Sequence, residues 1–144
     1  MIRPASHTDI PRLVDLGHRF MAESGYDRFL PRSRQAQADL ARMLIEAPNG
    51  LVLVYENDVD VITGMIGIMA TNHPHAGIPV MSELFWYVEP GARGVGVRLL
   101  KAAEDWARSN GVKKSLVVAP DGRVADFYRR MGYARIEEQF IKDL

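Results

Sequence analysis

Val80-Met81-Ser82-Glu83-Leu84-Phe85-Trp86-Tyr87-Val88-Glu89-Pro90 runs directly into Gly91-Ala92-Arg93-Gly94-Val95-Gly96-Val97-Arg98, and this junction decides the fold. Val80 to Val88 is apolar, aromatic and β-type, and Glu89-Pro90 ends it. From about Gly96 to Asn110 the apolar residues return at helical spacing, until Gly111 stops them. A glycine-rich turn between a strand and a helix is a place to hold an anion. Successive backbone N–H groups point outward there, and the helix start carries partial positive charge. Glycine lets a ligand approach the main chain closely. Arg93 and Arg98 flank this turn, so it suits a polyanion.

Upstream, Met1 to Pro4 reads as a short first strand. Thr8 is placed to cap a helix from Asp9 in which Ile10, Leu13, Leu16, Phe20 and Met21 form one apolar face, ended by Ser24-Gly25. Ser33 is placed to cap a second helix that buries Ala36, Leu40, Met43, Leu44 and Ala47. Leu51–Tyr55 and Val61–Met69 read as an antiparallel strand pair, with Gly64 and Gly67 marking a bulge or a close backbone approach. Residues 72–79 form a loop. Downstream, Lys114–Ala119 is a strand, Arg123–Met131 a helix closed by Gly132, and Tyr133–Ile141 a last strand. The order is β-α-α-β-β-β-α-β-α-β. It predicts an α/β fold of the α+β type: a central mixed sheet with helices on both faces and a right-handed parallel crossover around residues 80–119.

The chain has 144 residues, 47% hydrophobic and 25% charged, an ordinary composition for one domain over residues 1–144. It has no cysteine, which excludes disulfides, thiol catalysis and cysteine-ligated metal. No apolar run approaches the ~20 residues of a membrane span, and the N-terminus lacks a basic-then-apolar signal, so a cytoplasmic location and no membrane partner are expected. Net charge is zero but divided: residues 91–135 carry +6 and the remainder −6. This division fits an anion-binding C-terminal half, or solvated helix faces. A neutral chain without basic runs interleaved with aromatics speaks against a nucleic-acid partner.

The turn fits no dinucleotide fingerprint, because Leu99 stands at the third glycine of G-x-G-x-x-G. The nucleotide-binding G-x-x-x-x-G-K-[ST] loop is also absent. The run Glu83 to Gly96 instead resembles the strand-and-loop motif of the Gcn5-related N-acetyltransferase (GNAT) family, Val-x-Pro followed by Arg-Gly-x-Gly. Phe127-Tyr128-Arg129-Arg130-Met131-Gly132-Tyr133 resembles that family's second motif, Phe-Tyr-x-x-x-Gly-Phe. Order and spacing of the two motifs match, and in length the chain is similar to small stand-alone members, including some encoded by bacteriophages. Two positions depart from the pattern: Arg98 stands where a small residue is usual, and Asp121 where an Asn is frequent.

The resemblance implies acetyl-coenzyme A as co-substrate, with no metal. Its pyrophosphate would lie on the N–H groups from Arg93 through Gly94, Val95, Gly96 and Val97 to Arg98. Its pantetheine arm would run between two parallel strands that splay apart, Leu84–Val88 and Lys114–Ala119. Edge groups of Trp86, Tyr87 and Val88 are the expected partners of the arm, with Asp121 near it. Arg123, Arg129 and Arg130 are candidates for the adenosine phosphates, or are plain helix surface. A bulky residue at Gly96 is expected to abolish cofactor binding and leave the fold intact.

Tyr128 is the candidate acid for the departing thiolate, since a phenol can protonate sulfur or hydrogen-bond it. Phe127 and Tyr128 are adjacent on a helix and point about 100° apart, so one can pack while the other faces the ligand. Glu83 is the candidate general base for an ammonium acceptor, because a carboxylate within an apolar strand has its pKa raised by burial. Glu137 and Glu138 are its rivals. His73 and His75 have no evident third ligand and read as loop surface. The expected acceptor is a small-molecule or peptide amine that enters beside the first two helices and the 72–79 loop, and a homodimer stays open. A non-catalytic acyl-CoA-binding or interaction domain on the same fold is the alternative.

Overall fold

The computed structural model describes residues 1–92 and 94–144. The elements are β1 (Ile2–Pro4), α1 (Ile10–Glu23), α2 (Arg34–Glu46), β2 (Gly50–Glu56), β3 (Ile62–Asn72), β4 (Pro79–Val88), α3 (Val95–Ser109), β5 (Lys114–Leu116) and α4 (Gly122–Arg130). Short 3-10 turns occupy His7–Asp9 and Tyr26–Arg28. The strands form one sheet in the order β1-β2-β3-β4-β5, antiparallel throughout except for the parallel pair β4–β5. No helix among the described residues is long and apolar enough to cross a membrane.

Helix ends follow the local chemistry. The Ser33 hydroxyl accepts from Ala36 N–H at 3.1 Å and caps α2, as expected. At the first helix Ser6 and Asp9 do the work assigned to Thr8: Asp9 Oδ2 accepts from Ser6 N–H at 2.8 Å, and a 3-10 turn precedes α1. Arg3 holds that corner, donating to Asp9 at 2.9 and 3.0 Å and to Glu56 at 2.9 Å. Its guanidinium keeps the Asp9 carboxyl down at about 2. Gly111 and Gly132 take positive φ just past α3 and α4, where a side chain would be strained.

The sheet separates two apolar layers. Ile10, Leu13 and Leu16 of α1 and Ala41 and Leu44 of α2 pack on Val52, Val54, Met65 and Tyr87. Leu99, Leu100 and Ala103 of α3 and Tyr128 of α4 pack on Leu53, Ile66, Ile68 and Met81. Strand alternation sends Val52 and Val54 to one layer and Leu53 to the other. Leu16, Leu44 and Leu99 are fully buried, each stabilising the fold by about 1.5–3 kcal/mol.

Beyond α4 the structure corrects the sequence reading. Residues 133–141 form no strand, and Ile136 and Phe140 are 77% and 87% exposed. Two physical reasons apply. Glu137-Glu138-Gln139 breaks the two-residue alternation, and β5 offers an edge of only three residues. Tyr133 is instead held against α4, its N–H donating to Tyr128 O at 3.0 Å.

The expected irregularity near Gly67 is a bulge on the partner strand. Gly67 pairs with Phe85 and Ile68 with Glu83, which leaves Leu84 as the extra residue. The Phe85 ring lies over Gly67, where a Cβ would come within 2.4 Å of the ring carbons. Gly67→Ala is therefore expected to lower unfolding free energy by about 1–3 kcal/mol in urea denaturation; an unchanged midpoint would contradict this packing.

Candidate active site

The bulge decides which side chains share a face. Without it Glu83 and Trp86 would lie on opposite sides of β4, because side chains alternate. With Leu84 inserted, Met81 and Trp86 both pack in the α3–α4 layer, while Phe85 and Tyr87 pack in the α1–α2 layer. Glu83 points to the same side as Trp86, where Tyr128 meets it.

The parallel pairing is short. Val80, Met81 and Ser82 pair with Lys114, Ser115 and Leu116, and there the pairing stops. Past Ser82 and Leu116 the ladder opens, since β4 runs on to Val88 without a β5 partner among the described residues, and this is the side on which open α/β sheets place ligands. Glu83 bridges the opening with one oxygen. Its Oε2 accepts from Val118 N–H at 2.9 Å and from the Tyr128 hydroxyl at 3.3 Å. Burial pushes the Glu83 carboxyl up to about 7, against the pull of those two donors. Burial, and then the charge on Glu83, hold the Tyr128 hydroxyl well above the usual phenol range. The two candidate catalytic residues, 45 positions apart in sequence, thus form one buried pair.

Tyr26, in the turn between α1 and α2, belongs to the same neighbourhood. Its hydroxyl is raised by burial and by the Glu83 charge, and its ring meets Phe20 edge-on at 5.3 Å. The sequence reading missed it, because a tyrosine just after the Ser24-Gly25 stop reads as turn surface. Glu137 and Glu138 are exposed, and Glu138 pairs with Arg135 at 2.7 Å. His75 N–H donates to His73 Nδ1 at 3.3 Å in the β3–β4 loop.

The glycine turn meets α3 at the open end of the splay. Gly94 is the N-cap with φ 76°. Val95 N–H bonds Ala92 O at 3.4 Å and Arg98 N–H bonds Gly94 O at 3.2 Å. Among the described residues the first-turn N–H groups of Gly96 and Val97 meet no backbone acceptor, and groups of this kind can serve an anion. Arg93 lies outside the described residues. Arg98 is exposed, its guanidinium 5.3 Å from the centre of the Tyr55 ring on β2. Asp121 is the N-cap of α4 and accepts from Val124 N–H at 3.0 Å. Arg123 is exposed in the first turn of that helix, and Arg129 pairs with Asp126 at 2.7 Å.

Side chains of the β4 candidates separate by face. Val88 is half-buried on the α3 side. Tyr87 is buried on the other side, where its hydroxyl donates to Glu23 at 2.8 Å and is pushed up to about 12. Its main chain is what it can offer to the splay. Trp86 stacks on Phe127 at 5.6 Å and lies 5.9 Å from Tyr128. Its indole Nε1 is buried without a hydrogen-bond partner among the described residues. An amide-rich arm fits these features: an unpaired β4 edge, first-turn N–H groups and an indole donor in want of an acceptor.

One expectation about Gly96 changes. A Cβ there would come within 2.7 Å of Trp86 Cζ2, so a bulky residue displaces the indole and does not leave the packing intact. Gly96→Ala is expected to lower the unfolding midpoint and to shift tryptophan emission; an unshifted spectrum with unchanged stability would contradict the contact.

The buried carboxyl also sets a pH dependence. Its folded pKa lies above the unfolded value of 4.5, so the unfolded chain loses its proton first. Stability contributed by neutral Glu83 is present below pH 4.5 and is lost as pH rises toward 7, by up to about 3 kcal/mol. Glu83→Gln is expected to flatten this part of the stability profile, measured by denaturant unfolding between pH 4.5 and 8; an unaltered slope would contradict the burial.

Comparison with known proteins agrees with this fold. The acetyltransferase (GNAT) family matches residues 15–133. No curated protein matches the chain. A predicted acetyltransferase from Clostridium acetobutylicum, solved with acetyl-CoA, is 18% identical with a TM-score of 0.81, over 99% of this chain and 95% of its own. A ribosomal-protein-alanine N-acetyltransferase from Brucella melitensis biovar Abortus 2308 is 16% identical with a TM-score of 0.72, over 100% and 99%. An aminoglycoside acetyltransferase from an uncultured soil metagenomic sample, in complex with sisomicin, is 19% identical with a TM-score of 0.74, over 100% and 95%. The layered mixed sheet, the splayed strand pair and the match over residues 15–133 together mean that the chain belongs to the acetyltransferase (GNAT) family.

Proposed function

We propose that the protein, acting as one cytoplasmic domain, moves an acetyl group from acetyl-coenzyme A directly to a primary amine of a small molecule or peptide. The observation that carries this reading is the Glu83–Tyr128 pair at the mouth of the β4–β5 splay. The acetyltransferase relatives, one of them solved with acetyl-CoA, support the choice of acyl donor. The bound thioester supplies the electrophilic carbonyl and a sulfur leaving group.

The residues then divide the proton work. The amine arrives as ammonium, and the Glu83 carboxylate, poised at about 7, takes a proton from it and leaves a free lone pair. The new bond is nitrogen to carbonyl carbon, and the bond that breaks is carbon to sulfur. The Tyr128 hydroxyl gives its proton to the departing sulfur, and the second proton of the amine nitrogen leaves to solvent as the amide forms. The order of these events follows from charge. A phenolate at Tyr128 is costly while Glu83 is ionised and buried beside it, and the cost falls once Glu83 holds the amine's proton. That proton then passes to Tyr128 across their 3.3 Å contact and restores the hydroxyl. Holding amine and thioester together supplies a further part of the rate.

A thiol-release assay with an amine panel tests the reading. Acetyl-coenzyme A bound without thiol release, whatever the amine, would favour a binding module over an enzyme. Tyr128→Phe should lower kcat by about 10²–10⁴-fold with little change in the KM for acetyl-coenzyme A; an unchanged rate removes Tyr128 from the chemistry. In the wild type kcat/KM should rise with pH through about 7, the value for Glu83.

A further inference from the structure

We propose that Tyr133 is the positioning residue of this site: it fixes both of the hydrogen-bond donors that hold the Glu83 carboxylate. The inference rests on Glu83 being the base proposed above. Those donors come from separate elements, Val118 N–H from the segment after β5 and the Tyr128 hydroxyl from α4. Tyr133 is tied to each of them.

Its link to Tyr128 is twofold. Tyr133 N–H donates to Tyr128 O at 3.0 Å, and the two rings lie 5.4 Å apart. Its link to β5 runs through the hydroxyl, which lies 2.6 Å from Glu104 Oε1 and 2.8 Å from Ser115 Oγ. The direction of both bonds is forced. An ionised carboxylate only accepts, so the one phenolic proton goes to Glu104, and the phenolic oxygen accepts from the Ser115 hydroxyl. Glu104 is in turn paired with Arg108 at 3.3 Å on α3. Tyr133 thereby anchors Ser115 to α3, three residues before Val118.

This anchor matters because β5 has little else. It is three residues long and pairs with β4 over those three residues alone. Described residues beyond α4 add no strand beside it. The groups facing Glu83 are Val118 N–H, Tyr128 from α4 and Tyr26 from the turn after α1. Among the described residues the first two donate to it. Loosening β5 weakens the Val118 bond, and a carboxylate that loses a donor holds its proton more tightly.

The experiment follows Glu83 directly, by ¹³C NMR of the glutamate carboxyls in the full chain, with the signal assigned from Glu83→Gln. Tyr133→Phe removes the hydroxyl alone and should raise the Glu83 titration midpoint by about half a unit to one unit. Ser115→Ala should reproduce the rise if Tyr133→Phe fails to fold. Glu104→Gln keeps an acceptor for the phenol and should move the midpoint least. A midpoint unmoved in folded Tyr133→Phe, or in Ser115→Ala, overturns the proposal, and so does a fall in melting temperature with no such movement. The acidic limb of the kcat/KM profile should shift upward with the NMR midpoint. If the NMR midpoint moves and the rate profile does not, Tyr133 positions Glu83 but Glu83 is not the base.

Discussion

A single carboxylate oxygen stands where a strand pair would otherwise continue. The β4–β5 ladder ends at Ser82 and Leu116, and the next polar link between the two chain segments is Glu83 Oε2 on Val118 N–H. A sheet that kept its hydrogen bonds here would leave no gap for a ligand. A sheet that simply let go would leave the Val118 N–H without this partner. The glutamate satisfies the N–H and keeps the strands apart. The same oxygen accepts from Tyr128, so the link that holds the splay open is also the link between the two groups suited to proton transfer.

This link depends on a bulge, and the bulge depends on a glycine. Leu84 shifts the side-chain phase of β4, which brings Glu83 and Trp86 to the α3–α4 face within three residues. Opposite it, Gly67 leaves room for the Phe85 ring that the phase shift sends to the other layer. Further along, Glu89 secures the exit from the strand. Its N–H donates to Thr63 O at 2.9 Å, while Arg12, at 3.0 Å, and Arg19 both hold its carboxylate from α1. The glycine turn begins two residues later, so the chain entering it is fixed to the α1 layer as well as leading into α3.

How much of this was legible in the sequence depended on whether the signal was local. The helix faces built on Leu13 and Leu16, and on Leu99, follow from spacing alone, as do the Ser33 cap and the stops at Gly111 and Gly132. Glu83 and Tyr128 were legible as candidates because each is chemically out of place in its segment. Their contact was not, since nothing local joins residues 45 positions apart. Leu84 as a bulge was also hidden, because an apolar residue in an apolar run carries no mark of its phase. Asp121 and Arg98 show the reverse case. Both were legible only as departures from the family's pattern, and the contacts they make, a helix cap and a stack on Tyr55, were not. The closing strand failed because apolar residues after Gly132 do not keep period two, and Tyr133 turns inward to Ser115 and Glu104.

Stability and chemistry pull in opposite directions at Glu83, and that opposition accounts for the neighbouring groups. An ionised carboxylate at this depth is unfavourable, and two more donors would draw its pKa back toward the ordinary range. Among the described residues the structure gives it two donors, on one oxygen, and no cation. Three arginines of this half of the chain are engaged at the periphery instead: Arg98 over Tyr55, Arg108 on Glu104 and Asp105, Arg129 on Asp126. A guanidinium beside Glu83 would stabilise the fold and lower the carboxyl far below neutrality, where it could no longer accept a proton from an amine with useful driving force. Apolar packing around Met81, Trp86 and Tyr128 therefore serves the site by what it excludes, and the splay remains open at the cost of a charge that is only weakly compensated.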